Sequence, residues 1–419
     1  MKKFQSIKGT HDLLPEDFKI WEKVKSQIRY FMQQYGYSEI RTPAFENTEL
    51  FIRGIGTDTD IVNKEMYSWI DQGGNALTLK PELTAPVIRS YIQHQMGGKN
   101  PMHRLYYFDA LFRRERPQKG RQRQFYQFGA EAIGSSNPEQ DAEIISLAYN
   151  IYQSFDIKDM EVHINSIGSE SIRLAYLEKL RNALDKYVDK LCNTCKVRLE
   201  KNALRVFDCK NANCKEILDE KAPYIFDSIS SEDRQHFEIM TRMLNEMNIP
   251  YKHDNRLVRG LDYYSHTTFE ITSSALGSQD ALCGGGRYNG LIEQLGGKST
   301  PAVGFAAGVE RLLLALGDIK GLESAPDIYI ITIGEEAIVQ ACRMAQDLRI
   351  KCRKKVVLET IRRSMKAQMR DANRCGAEQV IILGDEELQE NKVVVKKMST
   401  GEQEQIPLNG IIEYFGKNS

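Results

Sequence analysis

The sequence predicts an α+β architecture: an antiparallel sheet carrying helices, a helical insertion within it, and a separate α/β domain toward the C-terminus. Three observations carry this. Residues 104–131, RLYYFDALFRRERPQKGRQRQFYQFGAE, read as two strands joined by a long charged loop. Strand alternation gives way between about 168 and 248 to apolar residues at helical spacing. Beyond residue 326 short strands and helices alternate, the pattern of a mostly parallel sheet. The expected division is therefore 1–167, first part of the sheet domain; 168–248, insertion; 249–322, second part of the sheet domain; and 326–419, C-terminal domain.

Bulk properties narrow the class. A chain of 419 residues is too long for one ordinary domain. Lys plus Arg equals Asp plus Glu at 57 each, so only local charge clusters can point to a partner. The opening MKKFQSIKGTHDLLPED has lysines without an apolar core region, and no run is long enough to span a bilayer. Eight dispersed cysteines do not form a secreted disulfide framework. A soluble cytoplasmic protein with no membrane partner is expected.

In chain order, Pro15, Glu16 and Asp17 suit a helix first turn, and Phe18, Trp21, Val24, Ile28, Phe31, Met32 and Tyr35 recur at helical spacing up to Gly36. Residues 38–44 read as a strand, and Pro43 makes it an edge strand. Residues 76–80 alternate as a strand and run into PELTAP, where Thr84 suits a helix N-cap. That leaves Glu82 at a strand-to-helix corner with no capping role. A helix is expected over 141–155.

In the hairpin, successive side chains point to opposite faces. Tyr106, Phe108, Ala110 and Phe112 share an apolar face with Tyr126, Phe128 and Ala130. The other face of the return strand carries Phe125, Gln127, Gly129 and Glu131, with Arg113 at the loop: a poor core and a good ligand floor. Residues 113–123 hold six Lys or Arg against one Glu, broken by Pro117 and Gly120.

Within the insertion, Cys192-x2-Cys195 and Cys209-x4-Cys214 suit a tetrahedral zinc site. The second pair is looser than in a zinc ribbon, and free thiols are the preferred reading. Further on, Arg259, Gly260, Asp262, Tyr263 and Tyr264 crowd a short bend. The run Gly284-Gly285-Gly286 has neither a following Lys-Ser/Thr nor a GxGxxG spacing, so it is no phosphate loop; its glycines are expected to admit a ligand close to the backbone. Residues 301–316 read as a glycine-rich strand leading into a helix, with Arg311 in its first turns opposing the helix dipole, which a bound anion would rationalise. In the last domain, residues 349–374 hold ten Lys or Arg and two acids, a surface suited to a phosphate backbone.

These segments carry a resemblance. FRRERPQKGRQRQFYQFGAE is similar to motif 2 of class II aminoacyl-tRNA synthetases in the form found in histidyl-tRNA synthetases. The long helix and proline-bearing strand of residues 15–44 resemble motif 1, and PAVGFAAGVERLLLAL resembles motif 3. RLVRGLDYY and CGGGRYNGL resemble the two parts of the histidine-specific signature. The resemblance spans essentially the whole chain and implies a class II catalytic fold, an anticodon-binding C-terminal domain and a homodimer built through motif 1.

It also implies roles. Adenylation joins a carboxylate to the α-phosphate of ATP, so the protein's task is positioning and positive charge. Arg113 and Arg259 are the expected catalytic residues, with Arg259 on the far side of the α-phosphate where it stands in for a metal ion. Arg113, Phe125 and Arg311 would bind ATP, with Phe125 stacked on adenine and Mg²⁺ on the outer phosphates. Glu82, Leu83, Thr84, Gln127, Glu131, Arg259, Tyr263 and Tyr264 would bind histidine. Glu131 would accept one imidazole N–H and Tyr264 donate to the other ring nitrogen. Arg116, Gln118, Arg121 and Arg123 would meet tRNA. Two departures stand out: Lys80 where the family commonly has arginine, and Leu83 where many bacterial members have glycine. The resemblance does not require a metal at the four cysteines. The alternatives are a non-catalytic histidine-binding paralogue that regulates ATP phosphoribosyltransferase, and a class II enzyme for another amino acid.

Overall fold

The predicted hairpin supplies the second and third strands of an eight-stranded sheet. A computed structural model describes residues 3–57, 59–118, 120–277, 280–317 and 325–416. It divides into two compact units: Met1–Leu14 with Trp21–Ile319, and Lys320–Ser419 with Pro15–Ile20. The expected boundary at 321–326 lies mostly outside the described residues.

Helix α1 (Pro15–Gln34) starts on its proline and buries Trp21, Val24, Ile28 and Met32 at helical spacing. The strand expected over 38–44 is broken in two. Only β1 (Ser38–Glu39) joins the main sheet, as a parallel edge; β2 (Phe45–Asn47) belongs to a separate sheet. Pro43 stands at the break, where a missing N–H would otherwise gap a ladder. Helix α2 (Thr48–Ile55) and a π-helical turn (Ile61–Glu65) lead to β3 (Tyr67–Ile70) and β4 (Ala76–Leu79), and β2, β4 and β3 form that antiparallel sheet. Helix α3 (Thr84–Gln93) precedes the hairpin strands β5 (His103–Phe112) and β6 (Gln124–Ile133). Then come α4 (Pro138–Gln153) and β7 (Met160–Ser166).

The insertion is helical, as its periodicity predicts: α5 (Glu170–Leu184), α6 (Asn193–Lys201), α7 (Ala212–Lys221) and α8 (Ser231–Glu246), linked by short 3₁₀ turns. Its apolar residues, Leu180, Leu184, Leu199 and Val206 among them, join one core with Leu83, Val87 and Leu105 of the catalytic part. The chain returns through β8 (Lys252–His253), β9 (Ser265–Ser273), β10 (Ala281–Arg287), α9 (Leu291–Gln294), β11 (Ala302–Gly308) and α10 (Val309–Leu316). The large sheet runs β1-β5-β6-β11-β10-β9-β7-β8, parallel at its two outer pairs and antiparallel between them. On one face of the hairpin Trp21 packs edge-on against Phe108 and Tyr126, with ring centroids 5.7 and 4.6 Å away, which is the apolar face the alternation predicts.

The second unit has a five-stranded sheet in the order β13-β12-β14-β15-β16. It comprises β12 (Ile328–Thr332), α11 (Glu335–Lys351), β13 (Val356–Leu358), α12 (Met365–Arg374), β14 (Gln379–Leu383), α13 (Asp385–Gln389), β15 (Lys392–Lys397), β16 (Gln403–Pro407) and α14 (Ile411–Gly416). The sheet is parallel over β13-β12-β14 and antiparallel beyond. Strand β16 escapes sequence reading because four of its five residues are exposed and it is mostly polar.

Candidate active site

The hairpin register sets the floor. Leu105 faces Glu131, Tyr107 faces Gly129, Asp109 faces Gln127 and Leu111 faces Phe125. A Cβ at Gly129 would lie 2.6 Å from the Tyr107 hydroxyl, so glycine there makes room for that ring beneath the floor.

A buried acid cluster occupies one end. Glu131 is 1% exposed and accepts hydrogen bonds from the hydroxyls of Thr84 (2.8 Å), Tyr107 (3.1 Å) and Tyr288. Burial pushes its carboxyl up to about 8, against the lowering effect of the Tyr288 and Thr84 hydrogen bonds. Glu82 accepts the backbone N–H of Thr84 at 2.6 Å and of Ala85 at 2.9 Å. The expected capping is thus corrected: Thr84 is the first helical residue, Leu83 holds the N-cap position without a side-chain bond, and Glu82 satisfies the free N–H groups of α3. The Thr84 hydroxyl is released from capping and engages Glu131 instead. Burial raises Glu82 to about 7, with the two N–H donors opposing. Tyr263 and Tyr264 close this end, their ring centroids 4.7 Å apart, and Tyr288 lies 5.6 Å from Tyr263.

Guanidinium groups occupy the other end. Arg259 donates through Nη1 to Glu270 at 2.6 Å, while its buried Nε has no hydrogen-bond partner among the described residues. Burial opposes its charge, but the Glu270 carboxylate together with Tyr264 and Cys283 outweighs that and raises its pKa. Its guanidinium lies flat on Gly284, where a Cβ would fall 1.9 Å from Nη2. The glycine strand β10 therefore serves at this position to admit an arginine of the protein itself. Arg113 donates through Nε to the Pro81 carbonyl (2.8 Å) and stacks 5.3 Å above the Phe125 ring. Arg311 donates to the Ala281 carbonyl at 2.7 Å. Burial, then the Arg121 charge beside it, lowers its pKa. Arg121 bonds Glu115 at 3.1 Å, and Glu115 also lies 3.9 Å from Arg113.

These residues line one cavity of about 600 Å³, within the range of small-molecule sites. Of the sequence-predicted residues, Glu82, Leu83, Thr84, Arg113, Arg121, Phe125, Gln127, Arg259, Tyr263, Tyr264 and Arg311 line it. Glu131 lies immediately behind Thr84 and does not line it. Arg116 and Gln118 are exposed, Arg116 two residues before the paired backbone bonds between Gln118 and Arg121. Arg123 is half-buried, bonding Gly9 through its N–H (2.7 Å) and the Glu115 carbonyl through Nε (3.4 Å). The sequence reading left out Glu270, which holds Arg259, and Glu310, whose carboxylate accepts the Tyr126 N–H at 2.9 Å and is raised to about 7 by burial. Glu270 shares a strand face with Thr268 and Thr272 in an alternating segment, a signal that was present. The insertion's contribution had no such signal: Arg198, Arg205, Asp208 and Lys210 also line the cavity.

Lys80 and Arg287 support the walls. Buried Lys80 bonds Asp109 at 2.7 Å and the Thr42 carbonyl at 3.2 Å, so the charge at this position serves the fold. Arg287 is held by Asp141, its Nε 3.1 Å from both carboxylate oxygens, and His236 meets the same carboxylate at 3.2 Å. The four insertion cysteines converge, with all Sγ atoms within 4.8 Å of one another.

Comparison with known proteins agrees with this geometry. Residues 9–312 match the family model for histidyl-tRNA synthetase, and residues 327–418 that for an anticodon binding domain. The chain is 46% identical over 419 residues to a histidine–tRNA ligase of Geobacillus thermodenitrificans, covering 98% of both chains. Its structure matches apo histidyl-tRNA synthetase of S. aureus with a TM-score of 0.83 and 40% identity, over 99% of this chain and 100% of the other. It shares the fold of a chain described as an ATP phosphoribosyltransferase regulatory subunit/histidyl-tRNA synthetase from Bacillus halodurans, with a TM-score of 0.66 and 23% identity over 92% and 99% of the two chains.

Proposed function

Because this chain belongs to the histidyl-tRNA synthetase family, we infer that it charges tRNA with histidine at the expense of ATP, through a histidyl-adenylate. The observation that carries the reading is the cavity in which Arg113, Arg259 and Arg311, from three distant segments, meet a cluster of Glu82, Thr84, Tyr263 and Tyr264. Two anions must be held together for adenylation, and fixed guanidinium groups do this without reorganising during the reaction. The regulatory paralogue is not favoured: full-length likeness at 46% is to the ligase.

Residue roles are our proposal. Arg259, with one donor unused and its orientation fixed by Glu270 and Gly284, addresses the α-phosphate and the histidine carboxylate. Arg113 addresses the same phosphate from the motif 2 side. Phe125, covered by Arg113 on one face, offers its ring to adenine, and Arg311 takes the terminal phosphate. Glu82 and Gln127 hold the α-ammonium. Tyr264 donates to one imidazole nitrogen, and Glu131 takes the N–H of the other once the ring displaces the Thr84 hydroxyl. A site whose buried partners match both ring nitrogens rejects side chains that leave them unpaired.

The residues present fit Mg²⁺ arriving with ATP: Glu270 and Glu115 line the cation-rich end, and this ion uses one or two carboxylates with substrate phosphates. It would neutralise the outer phosphates. The exposed turn at Arg116 and Gln118 reaches the tRNA acceptor end. On the C-terminal unit, exposed Val357, Ile361 and Met365 stand among Arg353, Arg362 and Lys366, an apolar and basic surface suited to unstacked anticodon bases. A homodimer through the motif 1 region and a cytoplasmic location complete the reading; no helix among the described residues is long and apolar enough to cross a membrane.

The test is histidine-dependent exchange of pyrophosphate into ATP by the full-length protein, followed by histidine transfer to tRNA. Equal exchange with other amino acids overturns the specificity, and exchange without transfer overturns the ligase reading.

A further inference from the structure

We propose that Cys192, Cys195, Cys209 and Cys214 form a structural zinc site that fixes the insertion against the catalytic cavity.

The geometry comes first. The four Sγ atoms all lie within 4.8 Å of one another, and Cys192 and Cys209 are 3.8 Å apart. With zinc–sulfur bonds of about 2.3 Å, a tetrahedral ion needs sulfur–sulfur edges of about 3.8 Å. One edge already has that length, and the others need only small side-chain adjustments. A pair of thiols would suffice for a disulfide; four thiols converging at one point from three segments is a coordination arrangement.

The surroundings favour thiolate. The backbone N–H of Cys192 donates to the Cys214 sulfur at 3.2 Å, and that of Asn211 to the Cys209 sulfur at 3.4 Å. Cys192 is the N-cap residue of α6 and Cys195 lies in its first turn; Cys214 lies in the first turn of α7, capped by Asn211. Helix N-termini offset negative charge, and a zinc ion with four thiolates carries a net charge of about −2. A lysine also stands within two positions of each ligand: Lys190, Lys196, Lys210 and Lys215. Cys195, Cys209 and Cys214 are buried, so the site is closed to solvent on most sides, as structural zinc sites are.

The location gives the site its purpose. Between the first and last ligand the chain has little regular structure beyond α6, a 3₁₀ turn and the start of α7, and its buried Leu199, Ala203 and Val206 join the core around the cysteines. Yet Arg198, Arg205, Asp208 and Lys210 from this stretch line the catalytic cavity. Arg205 meets Asp60 at 3.0 Å, and Asn202 donates to Asp262 at 2.7 Å, three residues from Arg259. A metal closing this loop sets the register in which those side chains reach the cavity. Folding and metal binding are then coupled.

The experiment uses the full-length protein, purified without chelator or immobilised metal. Mass spectrometry of the metal content should give about one zinc per chain. After chelation under reducing conditions, Co²⁺ titration should give a visible spectrum of tetrahedral cobalt with strong sulfur-to-metal charge transfer, displaced by Zn²⁺. The stripped protein should melt several degrees lower and recover with zinc. Cys209→Ser should lose most of the zinc and the cobalt spectrum, while Cys375→Ser, outside the cluster, should keep both. If Cys209→Ser does not fold, the titration of the stripped native chain decides the matter without a variant. Zinc below about a tenth per chain even after incubation with Zn²⁺, a cobalt spectrum lacking charge transfer, iron bound in place of zinc, disulfides among these cysteines in freshly alkylated protein, or full zinc in Cys209→Ser would each overturn the proposal.

Discussion

One end of the catalytic cavity buries acids and raises their pKa values; the other gathers guanidinium groups close together. At the acid end Glu82 and Glu131 are buried among hydroxyls and N–H donors, and burial raises both carboxyls. At the cation end Glu115 holds Arg121 and lies near Arg113, Glu270 holds Arg259, and the buried Nε of Arg259 has no hydrogen-bond partner among the described residues. The difference follows from what each end would receive. A neutral imidazole is recognised by matched hydrogen bonds in a dry site. A triphosphate and a carboxylate are recognised by fixed charge, and their own negative charge offsets the mutual repulsion of the arginines. Each end can be broken without the other.

The largest effect belongs to Arg259→Ala. Loss of a guanidinium aimed at developing charge should depress histidine-dependent exchange by about 10²–10³-fold. Glu270 is then left without its partner, yet thermal unfolding should show a retained fold. A variant that keeps exchange within an order of magnitude removes Arg259 from catalysis.

Glu131→Gln strikes the other end. It should lower kcat/KM for histidine by roughly 10²-fold, the order of effect when a buried partner is left unmatched, while the KM for ATP changes little. It also changes stability with pH. A carboxyl near 4.5 when unfolded and about 8 when folded binds more protons in the folded state throughout that interval, so its contribution is full below 4.5 and is lost as pH rises toward 8. Glu82, raised to about 7, acts in the same direction over a narrower interval. Denaturant unfolding of the native chain should therefore weaken from pH 5 to 8, and more steeply than in Glu131→Gln. Parallel profiles would contradict a buried neutral carboxyl at Glu131.

Smaller changes separate the ends more finely. Gly284→Ala places a methyl where the Arg259 guanidinium lies, with no backbone atom among the three nearest. It should cost roughly tenfold in exchange, by displacing a positioned charge. Tyr264→Phe should cost a similar factor in the KM for histidine alone, by removing one hydroxyl. If both variants alter the same kinetic constant, the division of the cavity into two ends fails.

How far the sequence disclosed this site depends on how far the chemistry was local. Period-two alternation was enough to put Phe125, Gln127, Gly129 and Glu131 on one face, because a strand fixes that by geometry. The capping of α3 was misread because Thr84 fits the usual preference, whereas the carboxylate two residues before the N-terminal N–H groups took the role in three dimensions. Gly284 lines the cavity and also leaves space for Arg259, a contact across 25 positions that no local pattern encodes. The edge strand at 38–44 split because residues on either side of Pro43 found different sheets. The insertion's share in the cavity wall was illegible for the same reason: Arg198 and Arg205 look like ordinary helix-surface charges until the fold brings both to the cavity wall and Arg205 to Asp60.

The smallest predicted effect tests whether the cation end stops at the cavity. Arg121 and Arg116 belong to one basic loop, but Arg121 turns toward Glu115 and Arg311, while Arg116 stands exposed beyond Pro117. Arg116→Ala should leave histidine-dependent exchange unchanged, because no contact to the cavity is lost. It should raise the KM for tRNA several-fold, and the difference from the native chain should shrink as salt is raised, since a single phosphate contact is a screened, exposed interaction. Arg121→Ala should weaken exchange as well, because it removes a charge beside the triphosphate end. If Arg116→Ala depresses exchange as much as transfer, the loop acts as one unit with the cavity, and the boundary drawn between Arg116 and Arg121 is in the wrong place.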